Sequence, residues 1–396
     1  MELNTQSEIQ PENEFSIAIR RACASILIPE LGKNLEELNC LPPAVVEGKN
    51  ININLVLPTF ALPSEPHIAL QVRNAAIAVV PSKMNVTLNV FADVKPATEQ
   101  SIYTPKIADV RNVILVASGK GGVGKSTVAT NLAVALARTG CQVGLLDADV
   151  YGPSIPTMFG IDSSQKIEGI KDEKGQSIML PIEKHGVKLM SIGFLVDTES
   201  AMVWRGPMIA SASMQMFQQV AWGNLDYLVV DMPPGTGDIQ LTIAQKVSVA
   251  GAVVVSTPQD VALADVVRAK SMFDRVKIPI LGVVENMSYF ICDGCDKRHE
   301  IFTHGGAKKS AERMNLKFLG EIPLEVNLRE GSDRGIPAAF KPKSTAATYF
   351  NAIAQQVAID IARAAIEKAE ESDLPQITIT GAEPGVPKKR GLPVLQ

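Results

Sequence analysis

The 396-residue chain has no apolar run long enough to cross a bilayer, few aromatic residues (5%), only five cysteines and no excess of positive charge. A transmembrane helix needs about 20 consecutive apolar residues, so a membrane-spanning role is not expected. A net charge of −4 withholds the broad basic surface that non-specific nucleic-acid binding needs, and the short KKR at 388–390 does not supply it. Five scattered cysteines do not form a disulfide framework. The acidic, polar opening MELNTQSEIQPENEF has neither the basic start nor the apolar run of a signal peptide. The expectation is a cytoplasmic protein with neither nucleic acid nor membrane as a partner. What is present, 46% hydrophobic and 20% charged residues, suits a globular chain that buries its own core without metal or disulfide staples.

Periodicity divides the chain into three parts. Within residues 1–100, FSIAIRRACASIL and PHIALQVRNAAIAVVP have helical spacing, while NININLVLP and MNVTLNVFA alternate like half-buried strands. A small α/β unit is expected there, ending near residue 100 in a proline-containing linker. Residues 101–370 carry six short apolar runs separated by helical segments: NVILVAS, QVGLLDAD, LDYLVVD, GAVVVST, PILGVVEN and LKFLGEIP. Strands apolar on both faces belong to a parallel sheet covered on each side, so this part is expected to be a doubly wound, mostly parallel α/β domain. Residues 371–396, rich in Pro and Gly, read as a flexible tail.

NVILVAS runs into GKGGVGKST, residues 119–127, and then into the helical VATNLAVALARTG. This is the phosphate-loop pattern in its required order of strand, loop and helix. Gly119, Gly121, Gly122 and Gly124 let the backbone turn its N–H groups toward phosphate, with Val123 and Thr127 completing the loop. Lys125 is positioned to reach the β and γ phosphates of ATP, and Ser126 to bind Mg²⁺. Asp231 ends a buried strand before a Pro-Gly turn, where P-loop enzymes hold a Mg²⁺-coordinating carboxylate.

Lys120 is not part of the basic pattern. With it, GKGGVGKST resembles the deviant P-loop of the MinD and ParA class, which includes the nitrogenase iron protein. The resemblance implies that Lys120 reaches across a homodimer to the partner's nucleotide. It also implies that Asp149 in LLDADVYGPS orients the attacking water, that Asp147 lies nearer the loop base, and that Asn286 in VVENM reads adenine. Either aspartate of LLDAD is alternatively a helix cap.

Further blocks, DADVYGPSIPTMFG, VWRGPM, DMPPGTGDIQLT, STPQDVALADV and VVENMSYFICDGC, together resemble the Mrp/ApbC family of iron–sulfur cluster carrier ATPases over about residues 105–365. The amino-terminal unit resembles, less closely, the iron–sulfur maintenance domain that often precedes them. Two departures stand out. Ile28 occupies the place of an aspartate, and Leu62 the place of a cysteine, so a cluster role for that unit is in doubt.

Cys292 and Cys295 form a C-x-x-C pair in YFICDGCDKRHE, and the pair alone leaves three chemistries open. A four-iron cluster needs four thiolates, two from each subunit of a homodimer, which is what the family resemblance implies. A zinc site within one chain would add His299 and His304, although three residues between Cys295 and His299 is far from the roughly 12-residue zinc-finger spacer. A redox dithiol is the third reading. Cys141 is expected in the core; Cys23 and Cys40 are left open. The expectation is an ATP-hydrolysing carrier that takes a cluster from an unidentified donor and passes it to apo-proteins. The competing classes are a ParA/MinD-like positioning ATPase, a P-loop ATPase with structural zinc, and a non-enzymatic scaffold.

Overall fold

A computed structural model of the chain describes residues 13–98, 107, 109–150, 152–162, 165, 167–171, 175, 177–195, 206–292, 294–341 and 344–373. Residues 99–106 of the expected linker, 374–396 of the expected tail and 203–205 of the VWRGPM block fall outside these, whereas residues 371–373, expected in the tail, end a helix.

The amino-terminal unit is built on strand Asn50–Leu57, whose alternation buries Ile51, Ile53, Leu55 and Leu57 on one face. It pairs antiparallel with Val45–Glu47 and parallel with Asn85–Ala92. The parallel pair requires a crossover, which helix Glu65–Val79 supplies. Helix Glu14–Cys23 begins where Asn13 accepts from the Phe15 N–H at 2.9 Å, and it packs beside that crossover helix.

The larger unit is an eight-stranded sheet in the order Ile182–Lys184, Val187–Ser191, Val143–Asp147, Leu225–Asp231, Val110–Ala117, Gly251–Ser256, Ile280–Asn286, Phe318–Ile322. All neighbours are parallel except the Ile182–Lys184 edge strand. The six expected strands are all present. Helices Lys125–Arg138 and Thr345–Asp373 cover one face through Leu132, Leu136, Phe350 and Val357. Helices that include Asp260–Arg275 cover the other through Val266, Ala269 and Phe273. This is the doubly wound α/β arrangement, and it puts the loops that follow the strands at one carboxyl edge, where such sheets bind ligands.

The last helix, Thr345–Asp373, joins the two units. Its first half packs on the helix Lys125–Arg138. Farther along, Ile359 enters the core of the amino-terminal unit, Arg363 Nε donates to the Glu30 carbonyl at 3.0 Å, and Glu370 pairs with Lys33. No helix among the described residues is long and apolar enough to cross a membrane.

Candidate functional site

The phosphate loop leaves the sheet at Ala117 and re-enters regular structure at Lys125. Gly122 and Gly124 have φ of +79° and +80°, the left-handed conformation that disfavours other residues. Gly124 is constrained twice, since a Cβ there would lie 2.1 Å from Asn286 Nδ2. Gly121 and Gly122 are exposed while Val123 is buried, so the loop is anchored at its base and open at its crown. Its far wall is the turn after Asp231, tied in by the Gly235 N–H donating to the Ser118 carbonyl at 3.0 Å.

Two carboxyl groups and a hydroxyl converge on one ammonium. Lys125 Nζ lies 2.6 Å from Asp231 Oδ1, 3.4 Å from Asp149 Oδ2 and 3.3 Å from Ser126 Oγ. Asp231 is fully buried; burial raises its carboxyl and the Lys125 charge draws it back down. Asp147 is also fully buried, held by Ser191 Oγ at 3.0 Å and the Asp149 N–H at 3.1 Å. Burial, then the Asp231 charge, pushes its carboxyl up to about 8, against the hydrogen bonds donated by Ser191, Asp149 and Ile155, which favour the charged form. The resemblance implies that Asp147 lies nearer the loop base; its carboxylate accepts from the backbone N–H groups of Asp149 and Ile155, which makes it the support of the segment that carries Asp149.

Asp149 Oδ1 and Asp231 Oδ2 are buried with no hydrogen-bond partner among the described residues. Two orphaned carboxylate oxygens beside a serine hydroxyl are a donor set that suits Mg²⁺, a hard cation that binds oxygen and keeps several of its waters. The residues present therefore fit the metal that the loop implies.

Lys120 is half-buried, with Nζ 3.8 Å from Asp265 Oδ2. Asp265 was not identified from sequence as a site residue, although its block STPQDVALADV was. The contact is intimate, because a Cβ on Gly119 would lie 2.3 Å from Asp265 Cβ and 2.6 Å from its Cα. Only glycine lets the loop start this close to the helix. Asn286 is brought to the loop from the opposite side and donates its amide to the Val123 carbonyl at 2.8 Å. That bond, between residues far apart in sequence, had no local signal.

Past Asn286 the chain turns through Met287, at φ +57°, and enters a two-stranded hairpin of Phe290–Ile291 with Arg298–His299. Its tip carries Cys292, half-buried, and Cys295, exposed. The Asp296 N–H donates to the Cys292 carbonyl at 2.9 Å and the Cys292 N–H to the Lys297 carbonyl at 3.0 Å, which closes the turn with both thiols at the carboxyl edge of the sheet. Among the described residues, no cluster of possible metal ligands unites either cysteine with His299 or His304. His304 instead accepts from Arg298 Nη2 at Nδ1, 3.0 Å away.

The other cysteines are core residues. Burial pushes Cys23 up to about 11, Cys40 to about 12 and Cys141 to about 11. In the amino-terminal unit, Ile28 and Leu62 lie in one apolar core with Ile51 and Ile68. The two departures from the resembled amino-terminal domain are thus both buried hydrocarbon. Two residues after Ile28, the Glu30 carboxylate accepts from the Ser64 N–H at 2.9 Å and from Ser64 Oγ at 2.5 Å, at the start of the crossover helix.

Comparison with known proteins places the chain in a family. The family model described as "ParA: NUBPL iron-transfer P-loop NTPase" matches residues 109–358, more than half of the chain. The iron-sulfur cluster carrier protein of Synechocystis sp. is 44% identical over 340 residues, covering 85% of this chain and 95% of that protein. The Escherichia coli K12 protein of the same name is 41% identical over 365 residues, covering 91% of this chain and 96% of its own length. A solved nucleotide-binding protein from Archaeoglobus fulgidus, in complex with ADP, is 42% identical with a TM-score of 0.51, covering 58% of this chain and 88% of that one. The loop, its carboxylates and the thiol hairpin thus stand in a chain that belongs to the Mrp/ApbC/NUBPL family of iron–sulfur cluster carriers, P-loop NTPases of the ParA/MinD type.

Proposed function

We propose that the protein works as a homodimer in which Cys292 and Cys295 of both subunits hold one iron–sulfur cluster, of the four-iron type, as cargo for apo-proteins. The observation that carries this reading is the hairpin: two thiols, one exposed and one half-buried, at the carboxyl edge of the sheet that also carries the phosphate loop. Two thiolates are half of the complement of a four-iron cluster. A second subunit supplies the rest.

In this reading the loop residues Gly119 to Thr127 bind ATP, with Lys125 on the β and γ phosphates and Asn286 beside adenine. Ser126 and Asp231 hold Mg²⁺, which would neutralise charge on the transferred phosphoryl group. Asp149 orients water, and Lys120 leaves Asp265 to reach the partner's nucleotide. Hydrolysis then governs how the two hairpins face each other, and so whether the cluster is held or released to its recipient. A donor protein loads it.

Anaerobic reconstitution with iron and sulfide, followed by metal and sulfide analysis and visible absorption, tests the reading. About four iron per dimer is expected, given the stoichiometry of such a cluster. Cys295→Ala should abolish it while leaving ATP binding intact. One zinc per chain, or iron retained without Cys295, overturns it.

A further inference from the structure

The hairpin that carries the thiols has little to hold it. Its ladder is two residue pairs long, and Ile291 and Ile301 are exposed, 40% and 53%. An isolated two-stranded hairpin is at best marginally stable. Its orientation must therefore come from contacts to the body of the protein.

Arg298 supplies a large share of these contacts. It lies opposite Ile291, the residue before Cys292. Its guanidinium stacks 3.7 Å above the centroid of the Tyr289 ring, and Nη2 lies 3.3 Å from Glu321 Oε2 and 3.0 Å from His304 Nδ1. A planar guanidinium can stack and fork at once, which an ammonium cannot. The Tyr289 hydroxyl continues the chain by donating to Tyr349 on the long last helix, at 3.2 Å.

These anchors lead to the nucleotide loop. Glu321 is paired in register with Glu285, the residue before Asn286, and the Ser288 N–H donates to the Ile322 carbonyl at 3.0 Å. Glu285 is buried and accepts from Ser288 Oγ at 2.6 Å and from the Ala307 N–H at 2.7 Å, which fixes the turn after the strand. Asn286 grips Val123. A short path of bonded and paired residues thus runs from the phosphate loop through Asn286 and the Phe318–Ile322 strand to Arg298, in the hairpin that carries the thiols.

We infer that Arg298 is a positioning residue that transmits the arrangement of the phosphate loop to the cysteine pair. The inference deepens the carrier reading and rests on it for its purpose. Its effect on the hairpin does not need a cluster. When nucleotide pulls the loop into place, Asn286 and the strands behind it move with Val123, and Arg298 makes the hairpin follow. Without Arg298 the thiols remain but no longer sense the loop.

Amide hydrogen exchange on the full chain without cluster, with and without Mg-ADP, tests this. In the wild type, Mg-ADP should slow exchange in both the loop (119–127) and the hairpin (289–300). In Arg298→Ala the hairpin should exchange about tenfold faster, equivalent to about 1.4 kcal/mol of local stability, and should not respond to Mg-ADP. The loop should still be protected and ADP affinity should hold. Arg298→Lys, which keeps the charge but not the fork, should restore part of the response and guards against a folding defect in the alanine variant. A hairpin that answers Mg-ADP normally in Arg298→Ala overturns the inference, as does loss of loop protection and hairpin response together. Failure of iron reconstitution would sink the carrier reading but leave this result standing.

Discussion

Lys125 Nζ stands 2.6 Å from Asp231 Oδ1, in a place where the lysine is nearly buried and the aspartate fully so. The phosphate-loop lysine is thus engaged by the carboxylate proposed to hold Mg²⁺. A nucleotide and its metal would compete for both partners at once and exchange one ion pair for two. Lys125→Ala removes the only cation close to Asp149 and Asp231 among the described residues. Breaking a buried pair from one side costs about 3–5 kcal/mol. The variant should lose ATP binding in calorimetry and unfold at clearly lower denaturant; stability equal to the wild type would show that the pair is not buried as described.

The raised carboxyl of Asp147 makes stability depend on pH. Its carboxyl lies at about 8 in the folded protein against an ordinary 3.8, so the folded state binds the proton more tightly. The contribution is fully present below about pH 4 and is lost as pH rises through about 8. Asparagine mimics the protonated form. Asp147→Asn should therefore flatten the fall in urea midpoint between about pH 5 and 8, and an unchanged slope would place the proton elsewhere.

Gly122 and Gly124 share a left-handed backbone but not surroundings, since nothing lies within 4 Å of a Cβ at 122. Gly122→Ala should pay only the conformational cost, about 1–2 kcal/mol. Gly124→Ala pays that and displaces Asn286 from Val123. Nucleotide affinity should fall at least about tenfold more in the second variant, a difference of about 1.4 kcal/mol. Equal losses in titration would mean that Asn286 does not support the loop.

Thiol accessibility separates the hairpin from the core. Cys292 and Cys295 lie at the surface, whereas Cys23, Cys40 and Cys141 are buried with raised thiol pKa values. Only the thiolate reacts. A chromogenic disulfide reagent should titrate two thiols in the native protein and all five after denaturation. Fast reaction of a third would contradict the packing of the amino-terminal unit.

Much of the sheet could be read from sequence because each of its central strands is apolar on both faces. The strand Val187–Ser191 could not: VKLMS is short, is interrupted by Lys188, and becomes a strand through its pairing with Val143–Asp147. The site divides the same way. Gly119 to Thr127, Asp231 and the cysteine pair announce themselves locally. Asp265, Ser191 and Arg298 do not, because their roles exist only where distant segments meet. Ile28 and Leu62 could be seen as departures, and their shared burial explains them, since apolar side chains at both places fill one core.

The last helix has a consequence for how the chain is made. Ile359 is part of the core of the amino-terminal unit, and the Glu30 carbonyl and the Lys33 side chain find partners at Arg363 and Glu370. On a ribosome, the amino-terminal unit emerges before this helix and therefore lacks part of its own interior until the helix has been synthesised. Docking of the helix completes that earlier unit and also covers the phosphate-loop helix.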